Sequence, residues 1–94
     1  MGNPTPAPLL KLIMERDGGI CQKCGGRGSD IHHIVPGGMG GKRVHKEANL
    51  ITLCRLCHQK TESKSMREWC QNWSRERYGD TVDRILKGKW GAME

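Results

Sequence analysis

The sequence predicts a small α+β domain stapled by zinc. Three observations point there. Cys21-Gln22-Lys23-Cys24 and Cys54-Arg55-Leu56-Cys57 repeat one Cys-x-x-Cys spacing. Two short runs rich in β-branched residues, 31–35 and 50–53, lie between these pairs. Stretches of helical periodicity flank them. The chain has 94 residues, is 35% hydrophobic, contains 13 glycines and no Phe, so one thin-cored domain is expected. Domains of this size commonly need a metal or disulfide staple.

Taken in order, residues 1–8 hold three of the four prolines and are expected to form a mobile arm. Residues 9–17 read as a helix. Pro8 suits its first turn, Leu9, Leu10, Leu12, Ile13 and Met14 supply an apolar face, and Gly18-Gly19 stops it. Residues 21–28 form a knuckle whose glycines let the backbone fold tightly. Residues 31–35 read as a strand closed by Pro36, and 50–53 as a second strand. The glycine-rich, basic stretch 37–47 reads as a flexible loop. A helical pattern runs from Cys57 to about Ser63. A longer helix covers about 66–78, with Met66, Trp69, Cys70 and Trp73 at i, i+3, i+4 and i+7. The two tryptophans are expected to pack on Leu9, Leu12 and Ile13. Asp80 is expected to cap a last helix with Val82, Ile85 and Leu86 inward. The single domain therefore spans 9–87, and 88–94 is a loose tail.

The net charge of +6 favours a polyanionic partner, nucleic acid first, although a merely basic soluble surface has the same charge. Met1 to Pro8 is polar, which predicts no secretory leader, and no apolar run is long enough to span a bilayer. Of the five cysteines, four fall into the two pairs. This is metal spacing rather than a disulfide framework, and it points to a reducing, cytoplasmic compartment. Four thiolates fill tetrahedral zinc and leave no open position, so Cys21, Cys24, Cys54 and Cys57 predict a structural site. Cys70, beside Trp69 and Trp73, reads as a small core hydrophobe.

His32, His33, Asn49 and His58 lie within or directly beside the zinc-closed loop. Glu62 follows His58 by one helical turn and would face the same way on a continuous helix. Imidazoles and a carboxylate can hold a second, open metal, and a neutral histidine can accept a proton from water near pH 7. Such a set fits hydrolysis of a phosphodiester. Asn49 alone would serve equally as a turn residue, Asp30 as a local hydrogen-bonding group, and His45 as a loop residue near phosphate.

The segments Asp30-Ile31-His32-His33-Ile34-Val35-Pro36, Asn49-Leu50-Ile51 and Leu53-Cys54-Arg55-Leu56-Cys57-His58 resemble the HNH endonuclease family. The nearest likeness is to its zinc-stabilised, four-cysteine members in bacteriophages and bacteria, over about residues 21–62. The resemblance implies a ββα-metal (His-Me finger) core at about 21–63 with flanking helices. It implies that His33 is the general base, and that His32 and His58 are ligands of a catalytic divalent metal (Mg2+, Mn2+, Ni2+ or Zn2+). It implies that Asn49 braces the loop and helps orient the base. Many relatives carry Asp in place of His32, and some carry a third histidine ligand where this chain has Glu62. The implied reaction cuts DNA to leave 5′-phosphate and 3′-hydroxyl ends.

Lys42, Arg43 and Lys46, with Arg55 and Lys60, are the expected phosphate contacts, which give affinity without sequence information. Small phage HNH proteins work beside the packaging terminase, so the resemblance implies terminase subunits as partners and a bacterial host cytoplasm. Other readings are a restriction or mobile-element nuclease, and a non-catalytic zinc-binding DNA adaptor.

Overall fold

The computed structural model describes residues 5–35 and 44–87. Helix α1 (Ala7–Asp17) is followed by strand β1 (Asp30–His33), a 3-10 turn (Glu47–Asn49) and strand β2 (Leu50–Leu53). Helix α2 (Arg55–Gln59), a second 3-10 turn (Lys60–Glu62), α3 (Lys64–Tyr78) and α4 (Thr81–Leu86) complete the order. Residues 1–4 of the expected arm at 1–8, Pro36, most of the glycine-rich loop including Lys42 and Arg43, and the tail at 88–94 lie outside the described residues, while Ala7 and Pro8 of that arm form the first residues of α1. No helix among the described residues is long and apolar enough to cross a membrane.

β1 and β2 pair antiparallel, with Asp30 opposite Leu53, Ile31 opposite Thr52, His32 opposite Ile51 and His33 opposite Leu50. Opposed residues point to the same side and successive residues to opposite sides. Asp30, His32, Ile51 and Leu53 therefore share one face, and Ile31, His33, Leu50 and Thr52 the other. All four residues of β2 are buried. Ile51 and Leu53 join Cys21, Cys57, Met66, Cys70, Trp73 and Val82 in the main core.

The first strand is shorter than its residue pattern suggests because Asn49 replaces the ladder beyond His33. Ile34 N–H still donates to the Asn49 carbonyl, but Val35 N–H donates to the Asn49 side-chain oxygen at 2.7 Å. α3 starts two residues earlier than periodicity predicts because the Ser63 hydroxyl accepts from Met66 N–H and caps it. Asp80 stands before α4 but makes no capping bond, and Leu86 is exposed rather than inward. In the first knuckle, Gly25 has a φ of 82°, a conformation that suits glycine. A side chain on Gly28 would collide with Thr52 Cγ2, so that glycine admits the knuckle against β2.

The expected packing of the tryptophans on α1 is corrected. Leu12 is exposed, Ile13 is buried outside the core cluster that holds Trp73, and from α1 Arg16 lies over the Trp73 ring. Its guanidinium lies 4.9 Å from the Trp73 ring centroid, with that of Arg77 4.5 Å from the same ring. Arg16 also donates to the carbonyls of Glu47 (2.8 Å) and Leu50 (2.7 Å), to Tyr78 Oη (3.2 Å), and to Asp17 (2.7 Å). Asp17 in turn accepts from Thr52 N–H at 3.1 Å. One ion pair thus fastens α1 to the turn, β2 and α3. The Asp17 side chain is 2% exposed and that of Arg16 18%, so removing either partner strands a largely buried charge. Asp17→Ala is expected to cost about 3–5 kcal/mol, measured as a drop in the urea midpoint. A change within the error of that measurement would show that the pair does not hold α1 in place.

Candidate metal and nuclease site

The two knuckles meet at the Asp30–Leu53 end of the sheet. The four sulfurs of Cys21, Cys24, Cys54 and Cys57 lie within 4.8 Å of one another. Sulfurs around tetrahedral zinc with bonds of about 2.3 Å stand about 3.8 Å apart. The Cys24–Cys54 separation, 3.7 Å, fits that spacing. Within each knuckle a backbone N–H points at the first sulfur, Cys24 N–H to Cys21 Sγ (3.5 Å) and Cys57 N–H to Cys54 Sγ (3.4 Å). Burial works against the Cys21 thiolate, but the N–H groups of Cys24, Cys54 and Lys23 outweigh it and bring its pKa down to about 6. Cys57 is pushed up to about 12, first by burial and then by the neighbouring sulfurs. Repulsion among thiolates is what a divalent cation removes, so the donor set fits zinc. Cys70, fully buried in the core, stands apart from this cluster, and burial pushes its thiol up to about 11.

The histidines divide by strand face. His32 lies against His58, with ring centroids 5.0 Å apart and edge-on. His33 lies on the opposite face, against His45 (ring centroids 5.3 Å) and near Thr5 Oγ1, 3.5 Å from its Nε2. Strand alternation causes this split. Burial, then the charges of His58 and His33, push the His32 pKa down to about 4, so its imidazole is neutral at physiological pH and keeps a lone pair.

His58, the last residue of the cysteine motif, is fixed by a residue that sequence reasoning set aside. Its Nδ1 lies 2.7 Å from Asp30 Oδ2. Asp30 also accepts from Arg55 Nε at 3.1 Å. The hydrogen bond from His58 chiefly lowers the Asp30 pKa; burial opposes it, and Arg55 adds to it. A carboxylate on Nδ1 assigns the proton there and turns Nε2 into the lone-pair nitrogen, the arrangement typical of metal-binding histidines. The signal was present in the sequence: Asp30 and His32 are two apart on a strand and must share a face.

Asn49 is fully buried. Its side chain accepts from Val35 N–H and donates to the carbonyls of Val35 (3.1 Å) and Val44 (3.0 Å), joining residues on either side of the glycine-rich stretch. Glu62 sits differently from the expected continuation of the helix. α2 ends at Gln59 and the chain tightens into a 3-10 turn, which rotates residue 62 away from an i, i+4 position over His58. It lines an open groove of about 620 Å³ with Lys23, Lys60, Met66 and Trp69. Among the described residues, the four cysteines alone form a cluster of three or more donors close enough for one ion. Of the expected phosphate contacts, Lys60 lines that groove, Arg55 is exposed apart from its bond to Asp30, and Lys46 follows His45 on the surface.

Residues 21–64 match the family model described as HNH endonuclease. No curated protein matches the chain. The matched segment contains both knuckles, both strands, Asn49 and α2. Over residues 21–64 the chain is similar to the HNH endonuclease family.

Proposed function

We propose that the protein is a metal-dependent DNA endonuclease. In this reading His33 is the base that takes a proton from the attacking water. His32 and His58 hold a divalent cation, and Asp30 orients His58. The observation that carries the reading is the His32–His58–Asp30 contact, with a neutral imidazole at His32 and a carboxylate directing His58 Nε2 outward. When bound, the metal would offset the charge that builds on the phosphate and on the leaving 3′ oxygen. Among the described residues β1 has a partner on one side only, so a phosphodiester lying along its other edge can meet side chains from both faces. Asn49 keeps the strand end and the residues after the loop in register. Lys42, Arg43, Lys46, Arg55 and Lys60 are the proposed contacts to backbone phosphate, and Glu62 is a further acid to test beside His58. The four cysteines hold structural zinc.

Supercoiled plasmid incubated with the protein tests the reading directly. Conversion to open-circular DNA is expected with Mg2+, Mn2+, Ni2+ or Zn2+, and none with EDTA. Intact DNA binding with no cleavage under any metal would leave only an adaptor role. Asp30→Asn keeps the size of the side chain but weakens the grip on Nδ1. It is expected to raise the metal concentration giving half-maximal rate by about 10–100-fold, with the rate recovered at saturating metal. A metal dependence identical to wild type would remove Asp30 from the site.

The likeness to small bacteriophage nucleases extends the proposal to a phage-encoded enzyme acting with terminase subunits in the bacterial cytoplasm. Co-purification with the large terminase subunit tests that extension separately from cleavage.

A further inference from the structure

We propose that His45 is a positioning residue that selects the tautomer of His33; the proposal rests on the reading of His33 as the base. His45 Nδ1 lies 3.3 Å from His33 Nε2, with the two rings edge-on at 66°. Its delivery there has a visible cause. Asn49 ties the carbonyl of Val44 to the N–H and carbonyl of Val35, so the residue after Val44 is brought beside the end of β1. No spacing in the sequence distinguishes His45, because the stretch between Val35 and Val44 conceals the closure.

The chemistry follows from the inventory of an imidazole, one N–H and one lone pair in the neutral ring. If His33 carries its proton on Nε2 and donates it to His45 Nδ1, its lone pair lies on Nδ1. The reverse assignment would have His45 donate to His33 Nε2 and consume the only lone pair His33 has. Of the two groups beside Nε2, His45 Nδ1 at 3.3 Å is nearer than Thr5 Oγ1 at 3.5 Å and is the acceptor that leaves His33 able to act as a base. Once His33 takes a proton, the same Nε2–H bond becomes charge-assisted and strengthens. The assignment leaves the remaining His45 proton on Nε2, which is buried and has no hydrogen-bond partner among the described residues.

Long-range 1H–15N spectra of the full zinc-loaded chain at about pH 8, where an ordinary imidazole is neutral, read the His33 tautomer directly. The wild type is expected to show the proton on Nε2, and His45→Leu a mixture or the opposite tautomer. The same variant is expected to lower kcat for nicking at least about tenfold, with KM within about twofold. His45→Asn, whose side-chain oxygen falls near the Nδ1 position, is expected to restore the tautomer and most of kcat. His45→Gln, whose oxygen reaches further, is not. If His45→Leu loses zinc or structure, the Asn and Gln pair decides: equal behaviour of the two overturns the proposal, as does an unchanged tautomer or kcat in a folded Leu variant. A wild-type protein that fails to nick DNA would remove the nuclease reading, while the tautomer spectra would still report whether His45 holds His33.

Discussion

His33→Ala is expected to lose nicking by about 10²–10⁴-fold, the usual contribution of a positioned general base, while keeping its zinc and its melting temperature within a few degrees. Both halves follow from where His33 sits. It is the last residue of β1, opposite Leu50, whereas the cysteine cluster lies beyond the Asp30–Leu53 pair at the other end of the ladder. Three residue steps along a strand separate the two ends by about 10 Å, and His33 takes no part in the main core. Truncating it removes the contacts to His45 and Thr5, neither of which belongs to the main core. His32→Ala should behave differently. Its effect on rate is expected to shrink as metal is raised, because in the proposed reading it removes a ligand rather than the proton acceptor. Single-turnover rates across a metal titration separate the two variants. A His33→Ala protein that nicks at the wild-type rate, or one that loses zinc, would end the assignment of His33 as base.

The parts legible in the sequence were those with local signatures. The Cys-x-x-Cys pairs announce their cluster because a tight turn alone presents two sulfurs, and residues 50–53 announce β2 because it is short, apolar and fully buried. What escaped notice depended on partners distant in sequence. Arg16 and Asp17 look like the polar end of an amphipathic helix; only the folded chain shows that they reach Glu47, Leu50, Thr52 and Tyr78. His45 is brought to His33 by a buried amide fourteen residues from Val35, which no periodicity reports. Glu62 follows His58 through a 3-10 turn, where the spacing alone suggests a continuous α-helix. Asp30 was the recoverable omission, since strand alternation puts it on the face of His32 and the cysteine motif puts His58 over that face.

Removing the zinc is expected to unfold the domain. The main core holds two of the cysteines themselves, Cys21 and Cys57, together with Ile34, Ile51, Leu53, Met66, Cys70, Trp73 and Val82. The first knuckle joins β2 through two backbone bonds, Gln22 N–H to the Thr52 carbonyl and Ser29 N–H to the Leu53 carbonyl. These are modest ties for a loop of that length. Structural zinc in small domains supplies about 10–16 kcal/mol near pH 7, as much as the whole stability of a typical domain, about 5–15 kcal/mol. A strong chelator is therefore expected to abolish the cooperative thermal transition, and re-adding zinc, but not Mg2+, to restore it. Cys54→Ser should act like chelation, whereas Cys70→Ala should keep one zinc per chain, because Cys70 lies outside the cluster. The affinity should rise with pH. Cys21 is already inclined to ionise near pH 6, but Cys57 resists up to about 12, so protons must leave as zinc binds, and lowering the pH opposes their loss. Competition with a chelator of known affinity at several pH values measures that slope. A metal-free chain that melts at the temperature of the zinc-bound one would show that the thiolate cluster is not what holds the two knuckles together.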